Sequence, residues 1–225
     1  FSKVIMKTAI LLGATGLIGT ELLNQLLLDD NYEQIKIFVR RASGISHPKL
    51  TELIIDFDKP ETWIGNVTGD VLFSMLGTTI KKAGSNKTYY KIDYTYQYQM
   101  AEAAVRNKVE NYVLISAAGA NANSRMFYNK MKGELDRDVQ GLSFKHISII
   151  RPSLLDGDRK ESRVGEKIGI IVTRLITLII PFTRRYRPIH ASVVARAMRN
   201  AVQRNNEKVN VYELEAVFNL ASSNV

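Results

Sequence analysis

Residues 8–28 read TAILLGATGLIGTELLNQLLL. Thr8, Ala9, Ile10, Leu11 and Leu12 suit a buried strand, and Gly13, Gly16 and Gly19 follow at the spacing of a tight turn. Leu22, Leu23, Leu26 and Leu27 then recur at the spacing of one helix face. A strand, a glycine turn and a helix start in that order form a phosphate cradle. Glycine lets the main chain approach a diphosphate, and the helix N-terminus supplies free N–H groups and a favourable dipole. Gly13, Thr15, Gly16, Leu17, Ile18 and Gly19 are therefore the candidate cofactor-phosphate contacts.

Outward from that unit, strands are expected at residues 35–39, 50–55, 70–75, 112–116 and 144–150, with helices at 90–107 and 124–139. Strands alternating with helices predict an α/β fold: a Rossmann-type, doubly wound parallel sheet, with ligands at the carboxyl ends of its strands. No repeat or Gly/Ser/Pro-rich linker divides the chain, so one domain is expected over residues 1–225. Its core would occupy about 6–152, and a small helical or substrate region would follow at about 153–225. The stretch KIGIIVTRLITLIIPF at 167–182 is apolar but carries Arg174 and ends near Pro181. It is read as a helix facing the core or substrate, without stable membrane insertion, leaving room for peripheral contact. A helix at 191–204 and a strand at 209–214 are expected to close the chain.

The chain has 225 residues, no cysteine and a formal net charge of +9. Disulfides and thiolate metal sites are excluded, and no metal centre is expected. The basic residues come as scattered pairs and form no nucleic-acid module, so an anionic cofactor is the simpler partner. No secretory signal is read at the N-terminus, residues 1–5 are taken as an extension, and a cytoplasmic location is expected.

The end of the second strand is where an adenosine ribose would lie. It carries Arg40 and Arg41, with no acid beside them in the sequence. A guanidinium pairs with a 2′-phosphate, whereas an acid would repel it, so NADP(H) is predicted over NAD(H). Asp56 and Phe57 are placed to flank the adenine, and Gly77 and Thr78 to let the ribose and nicotinamide pass. Tyr128 and Lys132 stand four apart on an expected helix and share its face. An ammonium one turn from a phenol favours proton transfer near neutral pH. Tyr32 and Lys36 repeat the spacing and are read as a surface coincidence. Ser116, closing the fifth strand, would orient a substrate carbonyl.

Together the glycine motif, Tyr128 with Lys132, and Arg151-Pro152-Ser153 resemble the short-chain dehydrogenase/reductase superfamily. Leu76-Gly77-Thr78-Thr79, Lys82-Ala83-Gly84, Lys132-Gly133-Glu134 and the run Asp158 to Arg163 with Gly165-Glu166 are similar to its atypical branch, which contains the HIV Tat-interacting protein. The resemblance implies NADPH binding, Tyr128 as general acid/base, Lys132 on the nicotinamide ribose, and Pro152 against the nicotinamide. Ser116 is followed by Ala117-Ala118, where many superfamily members carry further serines. The expected activity is an NADP(H)-dependent oxidoreductase acting on a small carbonyl or alcohol. The alternatives are a non-catalytic NADPH-sensing regulator and a nucleotide-sugar epimerase or dehydratase. A homodimer through the helices at 90–107 and 124–139 is compatible with the tyrosines at 89, 90, 94, 96 and 98, which could equally pack on the sheet.

Overall fold

The computed structural model describes residues 6–156, 187–204 and 207–223. Strands β1 (Lys7–Leu12), β2 (Tyr32–Val39), β3 (Leu50–Ile54), β4 (Val71–Ser74), β5 (Asn111–Ile115), β6 (His146–Arg151) and β9 (Val209–Glu213) build one parallel sheet. Its order is β3-β2-β1-β4-β5-β6-β9. The order reverses between β2 and β4 around β1, which puts a ligand crevice at the carboxyl end of the glycine-motif strand. Two short strands, β7 (Leu155–Asp156) and β8 (Ile189–His190), pair separately.

The pattern that made β1 legible is its unbroken burial: residues 9–12 are fully enclosed, as a strand covered on both faces must be. On one face Ala9 and Leu11 meet helix α1 (Leu17–Leu27), with α6 (Ala191–Ala201) and α7 (Glu215–Ser222) beyond it. On the other, Ile10 and Leu12 meet α4 (Tyr96–Arg106), α5 (Phe127–Gln140) and Trp63. Ile18, Leu22, Leu23 and Leu26 of α1 are buried, each side chain contributing about 1.5–3 kcal/mol by leaving water.

Two local departures from the sequence-based expectations stand out. The stretch expected as one helix at 90–107 is broken into α3 (Asn86–Tyr90), a π-helical turn Lys91–Thr95, and α4. The short α2 (Ile80–Ala83) precedes it, ended by Gly84 at φ 76°. Strand β2 begins at Tyr32, so Tyr32 and Lys36 lie on a strand, and Tyr32 is buried rather than a surface residue. Between β2 and β3 the chain crosses in residues 40–49 without a helix, shorter than the dozen or more residues a parallel crossover ordinarily takes. The helix expected at 167–182 and the motif at 158–166 lie outside the described residues.

Candidate functional site

The phosphate end of the site is made of main chain. Gly13 has φ +90°, and a Cβ there would stand 2.7 Å from Leu76 N; at Gly19 a Cβ would stand 2.1 Å from Gly13 O. Both positions require glycine because β1, the β4–α2 loop and α1 meet there with no room for a side chain. Gly16 caps α1 in extended conformation, no side chain caps the helix, and its first turn holds no acid. The N-terminal amides of α1 thus have no side-chain cap. Arg40 and Arg41 are exposed just beyond β2 and form no ion pair among the described residues.

Where the adenine was expected, the side chains lie differently. Asp56 is exposed, and its carboxylate accepts from Asp58 N at 3.0 Å. Phe57 does not flank that space with its ring. It is 4% exposed, stacked on Tyr96 at 5.0 Å and set edge-on to Trp63. Burial of the ring in the core leaves only the Phe57 main chain for a ligand. Trp63 Nε1 donates to Asp56 O at 3.0 Å, and Asp58 accepts from Tyr96 OH at 2.7 Å and pairs with Lys91 at 2.6 Å. The hydrogen bond from Lys91, then that from Tyr96, holds the Asp58 carboxyl below its ordinary range. This loop is therefore braced before any ligand arrives.

At the other end, α5 carries Tyr128 and Lys132 on one face, as expected. Tyr128 is 39% exposed, and its ring lies near-parallel to that of Tyr89 at 6.4 Å. Lys132 is buried, with Nζ 3.4 Å from Asp93 Oδ1. The other carboxylate oxygen of Asp93 accepts from Thr78 N at 2.8 Å. One carboxylate thus joins the ammonium of α5 to the loop after β4, and Gly77 leaves it space: a Cβ there would stand 3.4 Å from Asp93 Oδ1. Burial would lower Lys132, but Asp93, followed by Tyr128 and Asp136, outweighs it and holds the ammonium above its ordinary value. Burial raises Asp93 in turn, against Lys132 and the Thr78 amide. The π-helical turn carries Asp93 inward, a use of such turns that recurs at functional sites.

Ser116 is only 4% exposed, and its Oγ, like Asp136 Oδ1, has no hydrogen-bond partner among the described residues. The two adjoin without completing a bond. Burial raises the Asp136 carboxyl, and the Ser116 hydroxyl and Arg151 guanidinium act against that. Arg151 Nε sits 2.9 Å from Asp136 and Nη1 3.5 Å from Glu213, which accepts from Gly119 N at 3.0 Å. This chain of charges ties α5, β6 and β9 to the loop after β5. Gly133 completes the clamp, since a Cβ there would stand 2.2 Å from Ala122 N, and Asn129 Nδ2 donates to Gly119 O at 3.0 Å. Pro152 is buried, its carbonyl accepting from Ala118 N at 3.2 Å. A cleft of about 340 Å³ opens on the flank of α5 between Arg137, Arg151 and Asn121; neither Tyr128 nor Lys132 lines it.

Sequence reading missed Asp93, Asn129, Asp136 and Glu213. Asp93 and Lys132 are 39 positions apart, and no spacing rule links them. An acid set among the tyrosines at 89–98 was the available signal.

Residues 13–169 match a family described as NAD(P)H-binding. The chain belongs to that family. Among curated proteins it is 38% identical over 162 residues to a protein named FMP52, mitochondrial, of Candida glabrata, covering 71% of this chain and 68% of the relative. It is 32% identical over 207 residues to FMP52-1, mitochondrial, of Scheffersomyces stipitis, covering 89% and 90%. Relatives named as mitochondrial overturn the cytoplasmic expectation. Among solved structures, MoeE5 in complex with UDP-glucose and NAD superposes with TM-score 0.66 at 16% identity, over 96% of this chain and 81% of that one. A UDP-glucose 4-epimerase from Thermotoga maritima gives 0.68 at 12% identity, over 95% and 81%. These likenesses establish the Rossmann-like fold. The family match makes the chain a member of an NAD(P)H-binding family.

Proposed function

We propose that the protein is an NADP(H)-dependent oxidoreductase of the atypical short-chain type, reducing a carbonyl compound or oxidising the corresponding alcohol. The observation that carries the proposal is the pairing on α5 of an exposed phenol, Tyr128, with a buried ammonium, Lys132, held charged at the strands' carboxyl ends. The residues fit the dinucleotide on their own terms. Gly13 and Gly19 shape a cradle that a Cβ would fill, α1 offers an uncapped N-terminus, and Arg40 and Arg41 stand exposed where a 2′-phosphate would lie.

When bound, the cofactor supplies the hydride that reduces the carbonyl carbon. Tyr128 gives its proton to the carbonyl oxygen, so that hydride and proton together convert the carbonyl to an alcohol. Lys132 holds the nicotinamide ribose and biases the phenol. Asp93 keeps Lys132 charged and aligned. Ser116 Oγ is enclosed beside Asp136 and out of a substrate's reach, so no contact with the substrate oxygen is assigned to it. The narrower likeness to the branch of the HIV Tat-interacting protein belongs to this proposal, as do a single domain, supported by β9 joining the sheet beside β6, and a mitochondrial location, supported by the relatives' names.

Tyr128→Phe tests the assignment. A lost general acid lowers kcat about 10²–10⁴-fold on any accepted carbonyl, while NADPH binding, measured by calorimetry, stays within about twofold because the phosphate cradle is untouched. An unchanged kcat removes Tyr128 from the chemistry. Binding of NADPH without turnover of any carbonyl would favour a cofactor sensor.

A further inference from the structure

The crossover that carries Arg40 and Arg41 has no helix to hold it. Residues 40–49 connect β2 to β3 with no helix between them, where a covering helix would ordinarily pack the connection down. Its order comes from a few polar contacts. Ser43 N donates to Glu52 Oε2 at 2.9 Å, Ile45 N donates to Ser43 Oγ at 3.2 Å, and Gly44 turns the chain at φ +75°. Farther on, Lys49 N donates to His47 Nδ1 at 3.2 Å. Only the first of these reaches from the loop to the sheet close to the arginines.

Glu52 stands on β3 opposite Ile37 of β2. The acid that sequence did not place beside the arginines is therefore brought near them by strand pairing. Its carboxylate spends an oxygen on the Ser43 amide and makes no ion pair with either guanidinium among the described residues. That distinction decides its role. A carboxylate bound to Arg40 or Arg41 would neutralise the charge a 2′-phosphate needs. A carboxylate bound to the main chain two residues on fixes the loop and leaves both guanidiniums available.

We infer that Glu52 is the positioning residue for cofactor selection, tethering the Arg40–Arg41 loop through the Ser43 amide so that the arginines meet a 2′-phosphate already ordered. The inference rests on the NADP(H) reading above and extends it to a residue outside the usual site. A tether of this kind lowers the entropy lost when the loop engages its ligand, and its effect falls on NADPH and not on NADH, which has no 2′-phosphate.

The test is calorimetric titration of the full chain with NADPH and with NADH. Glu52→Ala removes the tether and Glu52→Asp keeps the charge but withdraws its reach. Either weakens NADPH about tenfold, the equivalent of one charge-assisted hydrogen bond, with NADH within about twofold. Glu52→Gln keeps an oxygen for the Ser43 amide and stays within about threefold of wild type for both cofactors. Hydrogen exchange supplies a readout independent of cofactor: the Ser43 amide exchanges faster in Glu52→Ala and Glu52→Asp, and stays protected in Glu52→Gln. The inference is overturned if Glu52→Asp and Glu52→Ala leave the NADPH-to-NADH ratio unchanged, or if Glu52→Gln tightens NADPH, which would make the carboxylate a repelling charge. The Arg40→Ala/Arg41→Ala variant separates the two levels. If it fails to lower the ratio, the arginine reading itself falls; if it does lower it, Glu52→Ala added to it changes nothing further.

Discussion

The two ends of the crevice are built from different materials. At the phosphate end the work falls to main-chain amides and to the absence of side chains at Gly13 and Gly19. No side chain caps the helix that starts there. At the Tyr128 end the work falls to side chains drawn from four separate segments, and nearly every charge already has a partner: Lys132 with Asp93, Arg151 with Asp136 and Glu213. The first end is rigid because nothing else fits. The second is rigid because its charges are satisfied against one another, and a change there leaves a buried charge behind.

The comparison breaks most readily at Gly19. Gly19→Ala drives a methyl to 2.1 Å from Gly13 O and within 2.9 Å of the Ala14 main chain, backbone that cannot step aside. A loss of about 3 kcal/mol or more in urea unfolding is expected, with dinucleotide binding abolished. Gly16→Ala is the control. Its Cβ would stand 3.3 Å from Gly13 O with an ordinary backbone, so the fold survives. Equal stability for the two variants would show that the turn is not packed as described.

How much of this could be read from sequence follows the same division. The phosphate end was legible because its residues are contiguous and their constraint is local: strand, glycines and helix lie within 21 positions. The parallel sheet was legible for a related reason, since full burial of β1 leaves an unbroken apolar run. Tyr128 and Lys132 were legible only because a helix puts positions four apart on one face. Asp93 was not, because a π-helical turn shifts the periodicity that locates it and its partner lies 39 residues on. Phe57 misled for the opposite reason. Its place after β3 was right, but the strand's end decides only where the main chain goes, and Trp63 and Tyr96 draw the ring into the core.

The next effect in size falls on the Tyr128 end. Lys132→Met strands Asp93 as a buried charge, and a loss of about 3 kcal/mol is expected from breaking one side of such a pair. The pH dependence identifies the cause. Burial already raises Asp93, and removing its nearest cation raises it further. A buried acid with a raised value is stable when protonated, and that stability is lost as pH rises. The deficit of Lys132→Met relative to wild type therefore shrinks in acid and widens as pH climbs from the ordinary carboxylate range toward neutrality. Asp93→Asn/Lys132→Met recovers at least about half of the loss. A deficit that is flat with pH, measured by urea melts between acid and neutral, would mean that the lysine contributes only packing.

The smallest effect sharpens the comparison where α3, the π-helical turn and α4 face α5. Tyr94 OH donates to Asp138 at 2.6 Å and Tyr90 OH to Glu134 at 3.1 Å, and the rings of Tyr90, Tyr94 and Tyr98 stack in a row. Tyr90 of α3 and Tyr94 of the π-helical turn thus reach α5 within one chain. Tyr94→Phe keeps the stacking and loses one hydrogen bond, so a cost of about 1 kcal/mol is expected, with no change in mass by light scattering. Burial, then the Asp138 hydrogen bond, raises the Tyr94 phenol above its ordinary value of 10.0. A raised phenol contributes stability that is fully present below that ordinary value and lost as pH rises through the folded one. The gap between wild type and Tyr94→Phe therefore stays constant through neutral pH and narrows only above about 10. A change of oligomeric state in Tyr94→Phe would instead show that the tyrosine row serves a contact between copies.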